Sequence, residues 1–187
     1  MFNLKKKTTI KWKRLDDSVS IPTKAHSSDA GMDMRVLVRE SGDFVPTIPQ
    51  CTRDSFARPV FQTLYDPDLG IECRAVKLGP HESVVFHTGL KCAVPEGYYL
   101  EINPRSSLGF KKGIMLLNTT GVIDAHYRGE ILIGLHNTTS FVQTIYDNER
   151  VVQCMLKKVE DTTSEEVEEL DETDRGEGGF GSTGATK

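Results

Sequence analysis

The chain is divided into short runs of aliphatic, β-branched and aromatic residues, separated by turn residues. The clearest runs are TTIKWKRL, MDMRVLV, SVVFHTGLKCAV, GYYLEINP, GEILIGLHN and RVVQCMLKKV. Several of them alternate apolar with polar residues, which is typical of half-buried strands. Glycine and proline fall between the runs, and no helical periodicity is sustained. This pattern predicts an all-β fold, an antiparallel barrel or jelly roll, with at most a short helix after Pro104.

The length and composition fit one domain with one core. The 187 residues include 37% hydrophobic residues, which is enough for one sizeable core and too little for two. No apolar run reaches the length of a membrane span, and the N-terminal residues lack the apolar region of a signal peptide. We therefore expect a cytoplasmic protein that has no membrane partner. The four cysteines are widely spaced and form no CxxC pair, so reduced thiols are favoured over zinc ligands or disulfides.

The charges are distributed unevenly along the chain. Residues 160–174 carry nine acidic side chains and no basic one, whereas residues 1–159 carry 21 basic and 17 acidic side chains. The excess of positive charge in the body is too small and too dispersed for a nucleic-acid-binding surface. It suits a small polyanionic ligand better, so no nucleic-acid partner is expected.

The same pattern predicts three regions. Residues 1–159 form the β-barrel domain, residues 160–174 form a solvated acidic linker, and residues 175–187 form a flexible, glycine-rich C-terminal lid. The segment 46–77 mixes prolines, charges and aromatics without a clear period, and it is interpreted as an inserted excursion. An ordered excursion is favoured over a disordered one. A protein-binding role for this segment and an inert surface loop both remain open.

Four segments contain residue types suited to nucleotide chemistry, although each also has a purely structural interpretation. SSDAGMD (27–33) could order water around a cation or form a turn, and PRSSLGFKKG (104–113) could hold phosphate at a helix start or form a capped turn. GVIDAHYRGEI (121–131) is expected to form a β-hairpin that presents a carboxylate and a tyrosine ring on one side. RGEGGFGSTG (175–184) offers an arginine and hydroxyls for phosphate and a phenylalanine for a flat base. Together these segments indicate a ligand made of a base, a sugar and a triphosphate.

With ERVVQCML (149–156) as a fifth motif, the chain closely resembles the trimeric dUTPase family. All five motifs occur in the order found in that family, and the resemblance covers about residues 18–45 and 78–187. It implies a jelly-roll-like homotrimer in which the C-terminal arm is exchanged between subunits. It also implies hydrolysis of dUTP to dUMP and pyrophosphate, which keeps uracil out of DNA and supplies dUMP for thymidylate synthesis. Magnesium is the implied cofactor.

The resemblance assigns roles to individual residues. The aspartate matching Asp124 orients and activates the attacking water, with Gln153 and Arg150 in support, and the ring matching Tyr127 excludes a ribose 2′-hydroxyl. Magnesium would be held mainly by the substrate phosphates, with Asp33 anchoring waters around it. The substrate-binding residues that it implies are Arg105, Ser106, Ser107, Gly109, Asn118, Gly121, Ile123, Tyr127, Arg175, Phe180, Gly181, Ser182 and Thr183.

Two other functions share this fold or these features. A dCTP deaminase would need a glutamate base beside the cytosine amine, and no glutamate occupies such a place in the motif around Asp124. A regulatory protein gated by nucleotide could use the segment 46–77 as its contact surface. The presence of Asp124, Tyr127, Gln153 and Phe180 favours retained catalysis over a purely regulatory role.

Overall fold

The structure, a computed structural model, describes residues 8–38, 60–67 and 69–179. Its regular elements within these residues are β1 (Lys11–Arg14), β2 (Met32–Arg35), β3 (Val60–Asp66), β4 (Ile71–Leu78), β5 (Ser83–His87), β6 (Leu90–Ala93), β7 (Tyr98–Pro104), α1 (Ser106–Lys112), β8 (Ile114–Leu116), β9 (Gly121–Ile123), β10 (Leu132–Asn137), β11 (Gln143–Tyr146) and β12 (Arg150–Lys158). The predicted all-β class and the short helix after Pro104 are confirmed.

The strands form four small antiparallel sheets. Their orders are β1-β6, β5-β10-β8, β11-β4-β3 and β2-β12-β7-β9. The last sheet is central to the site, because β12 pairs with β2 on one side and with β7 on the other. It therefore brings the segments 27–33, 104–113, 121–131 and 149–156 onto neighbouring strands.

The core lies between these sheets and is built from the inward-facing residues of the alternating strands. In β5 and β10 buried and partly buried residues alternate strictly, as expected for strands with one face on the core. The largest fully buried side chains include Met34, Leu78, Leu90, Leu100, Ile114, Ile131, Leu135 and Ile145. One apolar cluster joins all of them, which agrees with the single core expected from the composition.

Helix α1 is short because both of its ends are fixed by local chemistry. Pro104 precedes it, and Arg105 at the N-cap has extended backbone angles. At the other end Gly113 has φ +60° and donates its amide to the carbonyls of Leu108 and Gly109, which ends the helix. A Cβ at Gly113 would also lie 2.3 Å from a methyl carbon of Thr139. The helix is therefore held directly above the end of β7.

The described part of segment 46–77 is ordered as a β-hairpin. β3 and β4 pair along their whole length, from Val60 with Lys77 to Asp66 with Ile71, and β4 also pairs with β11. This half of the segment is thus joined to the domain by a sheet. Tyr65, Leu69 and Ile71, near the hairpin tip, are exposed. Residues 46–59 lie outside the described residues.

The described residues contain no helix that is long and apolar enough to cross a membrane. Cys73, Cys92 and Cys154 are free thiols, as the sequence predicts. Cys51 lies outside the described residues. Between β12 and Gly179 the chain forms no helix or strand.

Candidate functional site

A carboxylate held between two guanidinium groups forms one half of the site. Asp33 on β2 lies 2.9 Å from Nε of Arg105 through Oδ1, and 3.0 Å from Nη1 of Arg150 through Oδ2. Arg105 precedes α1, and Arg150 begins β12. The side chains of Arg105 and Arg150 remain partly exposed, at 30% and 45%. The two cations are thereby oriented and still accessible to an anion.

Arg35 belongs to the same cluster, although it lies outside the predicted site residues. Together with Asp33 and Arg150 it lines a concave pocket beside Ser20 and Thr23. Burial lowers the pKa of Arg35, the positive charge of Arg150 lowers it further, and Asp33 opposes both effects. Three arginines around one aspartate leave excess positive charge, which suits a polyphosphate. The spacing of Asp33 and Arg35 in β2 was the available signal, since residues two apart on a strand share a face.

Gln153 is brought to this cluster by strand register. It pairs with Asp33 of β2 on one side and with Asn103 of β7 on the other. Its Nε2 donates to the carbonyl of Pro104 at 3.3 Å. A Cβ at Gly31 would lie 2.6 Å from Oε1 of Gln153, so glycine is needed there to make room for this side chain. The structure therefore brings together Asp33, Arg105, Arg150 and Gln153 from three of the motifs.

The start of α1 places Ser106 and Ser107 next to Arg105. The amide of Arg105 donates to the carbonyl of Val151 at 3.1 Å, which ties the helix start to β12. No side chain caps the helix with a hydrogen bond, so the amides of its first turn are available to a ligand. Nothing within 4 Å would obstruct a Cβ at Gly109. The space beside Gly109 is therefore not filled by this chain's own described residues.

The other half of the site is a small pocket between two sheets. Ile102, Asn118, Gly121, Ile123, Leu132 and Gly134 are among the residues that line it. A Cβ at Gly121 would lie 3.1 Å from the Cβ of Ile102, so glycine allows β9 to lie close against β7. Thr119 has φ +55° in the turn before β9. The pocket has apolar walls and a few polar groups, which suits a flat heterocyclic base.

Two predicted strand pairings are wrong in this region. The segment 121–131 does not form a β-hairpin, because β9 pairs with β7 whereas β10 pairs with β5 and β8. The resemblance to a known family also predicts a strand pair around residues 117–121 that would bind the base, and this pair is absent, because β8 and β9 belong to different sheets. The chain crosses from one sheet to the other at both places. Residues of β8, β9 and β10, on either side of these crossings, line the pocket.

Asp124 and Tyr127 lie in the turn that follows β9, whose last residue, Ile123, lines this pocket. The amide of Tyr127 donates to the carbonyl of Asp124 at 3.1 Å, which closes a turn. The side chain of Asp124 is exposed, and that of Tyr127 is 43% exposed. The tyrosine hydroxyl donates to the carbonyl of Glu130 at 2.8 Å. The Asp124 carboxylate and part of the Tyr127 side chain are therefore open to solvent.

Asp124 and Arg105 are far apart within one chain. Gly121 pairs with Ile102 and Ile123 with Leu100, so Asp124 continues toward Tyr99, whereas Arg105 lies beyond Ile102 in the opposite direction. The strand rise of about 3.3 Å per residue puts Asp124 and Arg105 about 20 Å apart. The structure does not bring these two residues together.

The donor groups do not fit a metal ion bound directly by protein carboxylates. Both oxygens of Asp33 are already paired with arginines. Among the described residues there is no cluster of three or more histidine, cysteine, aspartate or glutamate side chains that could hold a metal ion. Any metal ion would have to be coordinated mainly by a bound ligand such as a polyphosphate, and not by protein side chains.

The predicted lid is described only in its first part. Arg175 is exposed, and its Nε donates to the carbonyl of Gly178 at 2.8 Å within a local turn. Phe180, Gly181, Ser182 and Thr183 lie outside the described residues. Their predicted contacts with a base and a phosphate stay predictions.

Comparison with known proteins gives a consistent result. A family model described as dUTPase matches residues 69–184. The deoxyuridine 5'-triphosphate nucleotidohydrolase of Fusobacterium nucleatum is 36% identical over 153 residues, which cover 82% of this chain and 82% of the relative. That of Finegoldia magna is 45% identical over 104 residues, which cover 53% of this chain and 73% of the relative.

A solved structure supports the fold. The dUTPase of Staphylococcus bacteriophage 80alpha with dUPNHPP has a TM-score of 0.68 and 22% identity, and the match covers 94% of this chain and 98% of that one. The family match begins inside the segment 46–77, so it includes β4. Of that segment, residues 46–68 fall outside the match.

Proposed function

The chain belongs to the dUTPase family, and we propose that it hydrolyses dUTP to dUMP and pyrophosphate with Asp124 as the residue that activates water. The observation that carries this assignment is the position of Asp124. It follows the strand that lines the base pocket, it is exposed, and Tyr127 stands three residues further along the same turn. A base in the pocket would place its sugar beside the ring and its phosphates beyond it.

The reaction needs a water molecule oriented toward a phosphate and relieved of a proton. The Asp124 carboxylate can accept that proton while the oxygen forms a bond to phosphorus and the bond between the α and β phosphates breaks. Arg105, Arg150 and Arg35 would stabilise the negative charge on the departing pyrophosphate. Gln153, fixed between Asp33 and Pro104, would orient a phosphate oxygen or the water. Ser106 and Ser107 would donate hydrogen bonds to the α and β phosphates.

Selectivity would arise at the pocket. Asn118 and nearby backbone groups would hydrogen-bond the edge of uracil, and a cytosine edge would leave buried polar groups unpaired. Gly121 and Ile123 would bring the backbone against the base. We propose that magnesium enters as part of the substrate, as the Mg·dUTP complex, with Asp33 acting only through water. The paired state of Asp33 supports this view.

We further propose a homotrimer in which neighbouring subunits share each site. The separation of about 20 Å between Asp124 and Arg105, estimated from the strand rise, is too large for one chain to serve one substrate from both residues. Residues 160–174 would act as a tether that lets the C-terminal arm of the third subunit reach a site shared by the other two. The residues that this arm would contribute are Arg175, Phe180, Gly181, Ser182 and Thr183. A cytoplasmic location suits an enzyme that acts on free nucleotides, and this location stays a prediction. A protein partner that binds residues 46–77 also stays a prediction.

The test is pyrophosphate release from dUTP, dCTP, dTTP and UTP, with and without magnesium. We expect selective turnover of dUTP that depends on magnesium. Asp124→Asn should lower kcat by about 10²- to 10⁴-fold, the usual contribution of a general base, and retain dUTP binding. Asp171→Asn, in the exposed acidic linker, is the matched control and should retain full activity. Ammonia release from dCTP, or dUTP binding without turnover by the native chain, would contradict the proposal.

A further inference from the structure

Tyr127 is held in place by its own loop at two points. Its hydroxyl donates to the carbonyl of Glu130 at 2.8 Å. Its ring lies over Gly129 so closely that a Cβ there would be 2.3 Å from the hydroxyl oxygen and 2.5 Å from Cζ. The ring can therefore stay in this orientation only while the backbone of Gly129 and Glu130 stays where it is.

The backbone of Glu130 is fixed in turn by its own side chain. One carboxylate oxygen, Oε2, lies 2.9 Å from Nδ1 of His87, and the other, Oε1, accepts the amide of Gly89 at 2.7 Å. Both side chains of this hydrogen-bonded pair are largely buried, at 14% and 13% exposed. Burial alone would raise the pKa of Glu130, but the hydrogen bonds from His87 and Gly89 outweigh it and lower that pKa. The carboxylate is thus the stable form in the fold.

The residues that hold Glu130 are themselves rigid. Thr88 donates its hydroxyl to the carbonyl of Ile131 at 2.7 Å, and the amide of Ile131 donates to the carbonyl of Leu90 at 2.9 Å. Gly89 has φ +65°, and a Cβ there would lie 2.6 Å from a methyl carbon of Val19. The turn between β5 and β6 therefore forms a fixed base under residues 130 and 131.

We propose that His87 and Glu130 are positioning residues that set the orientation of the Tyr127 ring and thereby determine the discrimination between deoxyribose and ribose. This inference rests on the proposed function. To exclude a ribose 2′-hydroxyl, the Tyr127 ring must stay in a fixed position. A displacement of the ring by about 1 Å would be enough to relieve the steric clash with that hydroxyl. The His87–Glu130 pair supplies that rigidity from outside the substrate pocket. Neither side chain needs to touch the nucleotide.

The experiment measures kcat and KM for dUTP and for UTP separately in native protein, Glu130→Ala, His87→Ala and His87→Asn. We expect the ratio of kcat/KM for dUTP to that for UTP to fall about tenfold in Glu130→Ala and His87→Ala, as one lost hydrogen-bonded contact typically causes. The change should come mainly from KM and from faster use of UTP, because Asp124 is untouched. His87→Asn, which keeps a side-chain donor, should restore much of the selectivity.

The matched control is His136→Ala. His136 lies in the sheet shared by β5 and β10 and contacts Oγ of Ser83 at 2.9 Å, away from Glu130. Its loss should leave the selectivity ratio unchanged even if it lowers stability. If Glu130→Ala does not fold, the two His87 variants still decide the matter, because the bond between Gly89 and Glu130 remains in them.

A double-mutant cycle with Tyr127→Phe separates positioning from a general loss of stability. If Glu130 acts through the tyrosine hydroxyl, Glu130→Ala should add little to the selectivity loss of Tyr127→Phe. Additive losses, or unchanged selectivity in Glu130→Ala and His87→Ala, would overturn the inference while leaving dUTP hydrolysis intact. Absence of dUTP turnover in the native chain would overturn the proposed function and this inference together.

Discussion

The side chain of Gln153 packs against Gly31, in the space that a larger residue at position 31 would fill. A Cβ at residue 31 would lie 2.6 Å from Oε1 and 3.2 Å from the Cβ of Gln153. The nearest atom is the end of a flexible side chain, so the glutamine can move aside without unfolding the sheet. The first motif, which contains Gly31, and the fourth, which contains Gln153, can therefore pack together in this way only because residue 31 has no side chain.

Gly31→Ala should therefore reduce turnover more than stability. Moving Gln153 away from Pro104 by about 1 Å can lower kcat by up to about 100-fold if the glutamine orients a reacting group. Steady-state kinetics and thermal unfolding of the same preparation check this. In a Gln153→Ala background the same substitution should have little further effect on kcat, and an equal effect in both backgrounds would contradict the explanation.

Activity should be recovered when two inactive variants are mixed. Arg105→Ala removes a proposed phosphate-binding side chain and Asp124→Asn the proposed water-activating carboxylate, and the backbones of these two residues lie about 20 Å apart in one chain by the strand rise. Each mixed trimer made by joint refolding contains one site with both native residues if neighbours share sites. We expect pyrophosphate release to reappear in the mixture. Sites contained within single chains would give no recovery.

Asn137 should be important for stability without taking part in catalysis. Its buried Nδ2 donates to the carbonyls of Leu78, Gly79 and Phe141, and its Oδ1 accepts from Thr139. Asn137→Ala removes these buried hydrogen bonds and should lower the free energy of unfolding by about 2–4 kcal/mol. Urea unfolding measures this. Asn148→Gly is the control and should be nearly neutral, since Asn148 has φ +62°.

The buried thiol of Cys154 should not respond to moderately alkaline pH. Burial raises its pKa from 9.0 to about 12, and the neighbouring Cys92 adds to this effect. An ordinary thiol ionises as the pH rises from 7 to 10, whereas Cys154 should stay protonated and unreactive over that range. Labelling with a thiol-specific reagent in a Cys51→Ser background checks this. Rapid labelling of Cys154 at pH 10 in folded protein would contradict it, and Cys73 serves as the less buried comparison.

The same raised pKa has a consequence for stability. A thiol that ionises in the unfolded chain near pH 9 but not in the fold favours unfolding as the pH rises above 9. We expect the free energy of unfolding to fall between pH 9 and about 12. Cys154→Ala should reduce this slope, which equilibrium unfolding at several pH values would show.

The longer strands and the helix could be predicted because their signals are local. β7, β10 and β12 contain clear runs of strand-forming residues, and α1 follows a proline that fixes its start. β8 and β9 have three residues each, too few for a period to be recognised. The predicted hairpin failed because the choice of partner strand depends on tertiary packing. Gly121 packs against Ile102, and this contact directs β9 to β7.

The site could be predicted as a set of residue types but not as a geometry. The motif order identifies Asp33, Arg105 and Arg150, yet nothing in the order shows that one carboxylate joins both arginines. That arrangement depends on the register between β2 and β12, which includes a shift between Arg150 and Val152. Arg35 was missed although it shares a strand face with Asp33. The His87–Glu130 pair joins residues 43 apart in sequence and has no local signal.

The distance between Asp124 and Arg105 bears on how the activity of a mixed trimer depends on the number of defective subunits that it contains. A chain that lacks both residues would spoil two of the three sites in any trimer that it joins, one through each residue. Activity would then fall faster than the fraction of intact chains. If neighbouring subunits share sites as proposed, an inactive copy expressed beside the native protein would act as an inhibitor, and the register of β7 and β9 would make the defect dominant.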